Sequence, residues 1–166
     1  MPLADTLLPE FDQEMKTTRS LLERVPLDKA SWKPHGRSTT MGALASHITS
    51  LAGFGSMIVK QTELDVASAQ GQPRQTPQYH TTEELLAAFD ANVKASRAEI
   101  AKAADPDLTT PWTLRAGPQT IFTMPRAAVL RTMLMNHVIH HRGQLSVYLR
   151  LNDVPLPSIY GPTADT

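Results

Sequence analysis

Apolar side chains recur every three to four residues in four separate stretches of the chain, a spacing that predicts four amphipathic helices. These stretches cover residues 3–25, 41–61, 81–103 and 125–152. The third begins with Thr-Thr-Glu-Glu at residues 81–84, which fits a capping box. Pro125 suits the first turn of the fourth helix, where a missing N–H costs no hydrogen bond. Four helices with two longer connections predict an all-α four-helix bundle, one domain over residues 1–166.

The connections differ from the helices in composition. Residues 62–80 combine glutamine and proline with little apolar periodicity, so we expect a loop there. Residues 105–124 contain three prolines, and we expect them to be non-helical. Within them, two threonine-containing runs flank Arg-Ala-Gly-Pro at residues 115–118, which predicts a short β-hairpin between the third and fourth helices. Gly53 and Gly55 are poor helix formers inside the second helix and indicate the close approach of a neighbouring helix.

Three of the six histidines lie in one five-residue stretch of the fourth predicted helix, residues 137–141. His137 and His141 are four residues apart, which places them one turn apart on the same helix face. The other members of that stripe are Leu130, Leu134, Leu145 and Tyr148. His47 occupies the apolar stripe of the second helix, so all three imidazoles are expected to point toward the bundle core.

This arrangement allows two interpretations. A lone inward histidine is usually a hydrogen-bonded core residue, and a spacing of four is also that of ordinary helix neighbours. Three imidazoles that meet in an apolar interior are costly, however, because they must share few protons. A divalent ion removes that cost by binding all three as neutral ligands. The sequence therefore predicts either a metal site on His47, His137 and His141 or a network of hydrogen-bonded histidines.

Other polar side chains surround the predicted site. His140 lies about 100° around the helix from His141, so we expect it at the edge of the site or in another interface. Asn136 and Gln144 are the nearest candidates for polar contacts around an ion. The pattern assigns no catalytic residue. His35 and His80 lie in connections between helices, and we expect both to be solvated loop residues.

Composition narrows the class of protein. Apolar residues make up 41% of the chain, enough to build a core. Lys and Arg together number 16, as do Asp and Glu, so no bulk charge favours nucleic acid or an anionic membrane. No stretch reads as a membrane span of about 20 apolar residues, and the N-terminus lacks the features of a signal peptide. With no cysteine in the chain, there are no disulfides or thiolate ligands, and we expect a cytoplasmic protein.

Several segments match a known family. They are Trp32-Lys-Pro34, residues 38–47, the block His137-Val-Ile-His-His141-Arg-Gly-Gln144-Leu, Tyr148-Leu-Arg150 and the tail Asn-Asp-Val-Pro-Leu-Pro at residues 152–157. With these segments the chain resembles the DinB/YfiT-like family of metalloenzymes nearly from end to end. The resemblance implies a four-helix bundle, commonly dimeric, that binds zinc or nickel. It also implies that the three metal ligands fall on His47, His137 and His141.

A site with three neutral ligands predicts a catalytic ion, because it leaves a fourth position for water or substrate. Such an ion lowers the pKa of water toward about 7, or binds a thiol as thiolate. No glutamate follows His137, so the general base of a zincin protease is missing. Similar family members include transferases that join low-molecular-weight thiols to electrophiles, and thiol-dependent isomerases. Because this chain lacks cysteine, such a thiol must arrive with the substrate.

We therefore expect a metal-dependent enzyme, a thiol transferase or a hydrolase, that acts on a small molecule. The alternatives are a non-catalytic dimeric bundle that binds a metal or ligand, and a structural bundle whose histidines only form hydrogen bonds. The last predicted helix is apolar on almost every side, which predicts a second cover from the hairpin or from a homodimer partner. The five arginines of residues 108–152 could attract an anionic substrate or pair with the acidic first helix: Arg115, Arg126, Arg131, Arg142 and Arg150.

Overall fold

Four helical arms pack side by side, as the apolar periodicity predicts. The computed structural model describes residues 1–67 and 77–166 of the chain. The helices are α1 Leu3–Leu22, α2 Met41–Leu51, α3 Phe54–Lys60, α4 Thr82–Lys102, α5 Asp105–Thr109, α6 Arg126–Val129 and α7 His137–Arg150. A 3₁₀ turn lies at Leu27–Lys29, and a π-helical segment, Leu130–Asn136, joins α6 to α7. The arms of the bundle are α1, α2 continued by α3, α4, and α7 with the segment before it.

The second predicted helix breaks where α3 meets α4. A Cβ at Gly55 would lie 2.7 Å from the Cβ of Ser96, and one at Gly53 would lie 3.1 Å from the Oδ1 of Asn92. Ser96 Oγ donates to the carbonyl of Ala52 at 2.6 Å, and this satisfies a group freed by the break. The close helix approach predicted from the two glycines is therefore confirmed.

A small three-stranded sheet fills the region between the helices. β2 Pro111–Ala116 and β3 Gln119–Pro125 form the predicted hairpin, and Gly117 makes its turn with φ +57°. The prediction missed β1 Glu63–Asp65, which pairs parallel to β2. A strand of three residues is too short to show alternation, and only its distant partner stabilises it.

Two sequence expectations about the connections were wrong in part. The segment expected to be a loop contains β1, and its residues 68–76 lie outside those described. The segment expected to be non-helical begins with the short helix α5, because Pro106 in its first turn and the Asp107 side chain support a helix start.

The last predicted helix changes geometry part-way along its length. Its π-helical segment has more residues per turn than an α-helix, which rotates the residues that follow. The core-facing side chains of α7 are Val138, Arg142, Leu145 and Leu149. His137 and His141 therefore lie beside the buried face and are only half-buried, rather than at its centre as the stripe predicted.

A buried ion pair joins α7 to α1. Arg142 is 2% exposed and Glu14 is 7% exposed, and the guanidinium lies 2.7 Å from the carboxylate. Arg142 also donates to the hydroxyls of Thr18 at 3.3 Å and Tyr160 at 2.6 Å. The Tyr160 hydroxyl in turn lies 2.9 Å from the Glu14 carboxylate, so the C-terminal tail covers the pair. A buried charge needs such a full set of partners to offset its loss of hydration.

The other arginines near the C-terminus are paired as well. Arg131 meets Glu10 of α1 at 2.7 Å, so two of the five arginines pair with the acidic first helix, as one interpretation predicts. The others bind elsewhere: Arg115 to Glu63, Arg150 to Asp165, and Arg126 to the carbonyls of Ile58, Asp107 and Gln61. Each of the five thus has an acidic or carbonyl partner within the chain.

One part of the bundle resembles a membrane span in length and composition. The stretch Met41–Lys60, which combines α2 and α3, is long and apolar enough to cross a bilayer, contrary to the expectation from the sequence. Half of its apolar window is buried inside the bundle, and a core helix of a soluble protein meets the same criteria. The similarity is therefore weak support for a membrane location.

The close contact at Gly55 predicts opposite effects for two glycine substitutions. Gly55→Ala should lower the free energy of unfolding by about 1–3 kcal/mol, because the new methyl meets Ser96. Gly143→Ala is the matched control: it also lies in a helix but its Cβ would meet nothing within 4 Å. It should stabilise by about 0.5–1 kcal/mol. Urea unfolding followed by circular dichroism measures both, and equal effects would contradict the close approach.

Candidate metal centre

Three imidazoles from two helices meet at one point of the bundle. His47 projects from α2, and His137 and His141 project from the first turns of α7. One ring nitrogen from each lies within 4.8 Å of the others. The ring centroids are 5.3 Å apart for His47 and His137, 4.6 Å for His47 and His141, and 4.8 Å for the two on α7. The structure thus brings together all three histidines that the sequence singled out.

A hydrogen bond orients the ring of His141. Gln144 Oε1 lies 2.8 Å from His141 Nδ1, and because an amide oxygen only accepts, that nitrogen carries the proton. The Nε2 lone pair of His141 is then free for an ion, the arrangement usual for a ligating histidine.

The remaining polar candidates lie at different distances from the cluster. Gln144 Nε2 donates to His140 Nε2 at 3.1 Å, so an exposed imidazole, an amide and His141 form a chain along one edge of the site. Asn136 is exposed at the start of α7, and no hydrogen bond within the described ranges joins its side chain to the histidines. The two loop histidines are exposed, as expected: His35 and His80.

The surroundings keep the three imidazoles neutral. Burial, reinforced by His141 and His137, lowers the pKa of His47 from 6.5 to about 4. Burial is also the main cause that lowers the pKa of His137 and of His141. Neutral imidazoles offer lone pairs rather than protons at pH 7, which suits a divalent cation. Within residues 1–67 and 77–166, no carboxylate joins the group, so an ion there would keep its double charge.

A cleft opens on one side of the cluster. Its volume is about 490 Å³, within the range of small-molecule sites. The residues that line it are Ser38, Thr39, Ala43, Leu44, His47, His141, Gln144 and Tyr148. The Tyr148 hydroxyl donates to the Thr39 carbonyl at 3.2 Å, and Trp32 packs against the Tyr148 ring edge-on at 5.6 Å.

Sequence reasoning missed the wall of this cleft. Tyr148 reads as a member of an apolar stripe, although its position seven residues after His141 places it on the same helix face. Of the three hydroxyl residues at 38–40 that precede α2, Thr40 caps the helix by accepting from the backbone N–H of Ala43 at 3.3 Å. The other two hydroxyls are thereby left to line the cleft.

Comparison with known proteins agrees with this geometry. The profile of the DinB family matches residues 1–165. The chain belongs to the DinB family. A relative, the uncharacterized protein YrdA of Bacillus subtilis strain 168, is 26% identical over 97% of this chain and 90% of its own length.

Two solved structures of DinB-like proteins share the fold. The protein from Bacillus cereus ATCC 10987 superposes with a TM-score of 0.68 at 21% identity, over 92% of this chain and 95% of that one. YjoA of Bacillus subtilis also gives 0.68 at 20% identity, over 95% and 99% of the respective chains. The resemblance drawn from the sequence is thus confirmed. This DinB protein carries a mostly helical fold and a three-histidine cluster compatible with a metal ion.

The lowered pKa values predict how acid affects the metal-free protein. An unfolded histidine titrates near 6.5, so at pH values between about 4 and 6.5 the unfolded chain binds more protons than the folded one. The free energy of unfolding should therefore decrease as the pH falls through this window. Urea midpoints measured with a chelator test this. His47→Gln cannot titrate and should flatten the dependence; an unchanged slope would contradict the assignment.

Proposed function

We propose that this DinB protein is a metal-dependent enzyme that acts on a small molecule, with the ion held by His47, His137 and His141. The observation that carries the proposal is the convergence of three neutral imidazoles, with nitrogen atoms within 4.8 Å of one another, beside a cleft of about 490 Å³. A purely structural ion needs four protein ligands and no cleft. Three histidines next to an open cleft instead favour a catalytic ion.

The donor set fits zinc or nickel, the ions that we propose for the site. Imidazole nitrogen suits both, whereas magnesium and calcium prefer oxygen ligands. When bound, a divalent ion there would supply Lewis acidity and lower the pKa of a coordinated thiol or water. The hydrogen bond between His141 and Gln144 would hold that ring in the tautomer that an ion requires.

The residues that line the cleft favour a small substrate that carries no charge near its reacting group. Leu44 and Ala43 provide apolar surface, and Ser38, Thr39 and Tyr148 provide hydroxyl groups at the edge. The Tyr148 hydroxyl is held by the Thr39 carbonyl and can exchange that partner for a substrate atom. No Lys, Arg, Asp or Glu side chain of the described part of the chain lines this cleft.

The reaction that we propose is transfer of a low-molecular-weight thiol to an electrophile. The thiol sulfur forms a bond to the electrophilic carbon, the leaving group departs with its electron pair, and the thiol proton leaves with it or passes to solvent. Water in place of the thiol makes the same reaction a hydrolysis. The chain contains no cysteine, so the thiol is a substrate and not part of the protein.

We further propose a cytoplasmic homodimer, with α7 at the interface. Val147 and Leu151 are 56% and 57% exposed and lie one helical turn apart. Two large apolar side chains exposed side by side support a partner surface there.

Metal content tests the site directly. Purified tag-free protein should contain about one zinc or nickel per chain by elemental analysis, and His137→Ala should contain none, because two imidazoles bind too weakly. His35→Gln is the control, since it removes an exposed histidine of a connector outside the trio, and it should retain the metal. Wild type without metal after reconstitution, or His137→Ala with full metal, would contradict the proposal.

Activity tests the proposed chemistry. The metal-loaded protein, mixed with glutathione or cysteine and a chlorinated aromatic electrophile, should accelerate thioether formation over the uncatalysed rate. His137→Ala should show no acceleration, whereas His35→Gln should keep it. A metal-loaded wild type that accelerates neither thiol transfer nor ester hydrolysis would favour the alternative of a non-catalytic binding protein.

A further inference from the structure

A second cavity lies along α2 beside the histidine cleft. Its volume is about 510 Å³, far above the voids of ordinary packing and within the range of ligand pockets. The connector before α2, the first turns of α2 and the segment 77–80 form its walls. The residues of α2 that line it are Gly42, Ala43 and Ser46. Tyr79 and His80 line it from the segment 77–80.

Ser46 provides a polar group inside this cavity. It is 4% exposed, and its hydroxyl forms no hydrogen bond with any residue that the structure describes. A helical serine can satisfy itself by bonding to the carbonyl one turn earlier, but Ser46 does not do so. The hydroxyl is not one of the fully enclosed, unpartnered groups of the described residues, so it can be reached from the cavity, where a ligand could supply its hydrogen-bond partner.

The lining indicates what kind of ligand fits. Leu27, Ala30 and Pro77 provide apolar surface, and Ser31 and Tyr79 add hydroxyl groups. No Lys, Arg, Asp or Glu side chain lines the cavity in the described ranges. The backbone N–H groups of Met41 and Gly42, at the start of α2, already donate to carbonyls at 2.8 and 2.9 Å. The lining includes the exposed imidazole of His80 but no permanently charged side chain, so it favours a neutral, partly apolar molecule.

The two cavities adjoin each other. Ala43 lines both and is exposed, and Ser46 of one cavity precedes His47 of the other along α2. We propose that the second cavity binds a neutral, partly apolar portion of the substrate, with its hydrogen-bonding atom on Ser46, while the reactive end meets the histidine cleft. The location of the reactive end rests on the proposed function; ligand binding in the cavity does not.

A thiol introduced into the cavity tests the proposal, because the natural chain contains no cysteine. Ser46→Cys should react with N-ethylmaleimide in the folded protein on the order of tenfold faster than Thr49→Cys, because only the former opens into a cavity. Thr49 is the matched control: it lies on the same helix, is equally buried and lines neither cavity. Equal, slow modification of the two variants would overturn the proposal.

Protection by a probe tests the class of ligand. Saturating 2-naphthol, which is neutral and has one hydroxyl, should slow the modification of Ser46→Cys, whereas naphthalene-2-sulfonate, with the same rings and a negative charge, should not. No protection by naphthol, or equal protection by the sulfonate, would overturn the proposal. If Ser46→Cys does not fold, Ser31→Cys at the edge of the same cavity provides the protection test.

Metal analysis of the same samples separates this inference from the proposed function. Protection of Ser46→Cys in a protein that binds no metal would support the cavity and contradict the enzyme. Full metal content without protection would contradict the cavity alone.

Discussion

The buried contact between Arg142 and Glu14 determines how α7 is oriented in the bundle. A guanidinium that is 2% exposed can be stable only where its charge and its N–H groups are satisfied, and α1 and the C-terminal tail supply those partners. Because Arg142 must face α1, its neighbour His141 is turned about 100° away, toward α2. The ion pair thus sets the face of α7 on which the histidines meet His47.

A second constraint acts on α2, which supplies the third imidazole. The packing of α3 against α4 at Gly55 and Ser96 brings that arm close to the bundle, and the break between α2 and α3 leaves α2 free to follow α7. α2 therefore presents His47 to α7 on one side and Ser46 to the second cavity on another. One short helix thus borders both the histidine cleft and the second cavity.

The electrostatics of the site follow from this position at the edge of the core. Full burial would leave no room beside the rings, whereas full exposure would let all three imidazoles titrate normally. Half-burial lowers their pKa values and still leaves one side open to the cleft. The described cluster contains no carboxylate, so an ion there would keep its full charge. In this it differs from metal centres in which a carboxylate ligand neutralises part of that charge.

The sequence by itself determined the elements and the ligand candidates, because these depend on short-range spacing. The period of the apolar side chains predicts the helices, the capping box at residues 81–84 is present, and Gly-Pro predicts the hairpin turn. The trio of histidines also follows from spacing, since residues four apart share a helix face and His47 shares an inward stripe.

Tertiary structure alone decided the depth of the site and the shape around it. The π-helical segment turns the buried face of α7 away from His137, and no local pattern signals that insertion. β1 exists only because β2, far along the chain, offers it hydrogen bonds. The two cavities likewise depend on how connectors lie against α2. Such features arise from contacts between distant residues, whose free energies cannot be read from the spacing of neighbours.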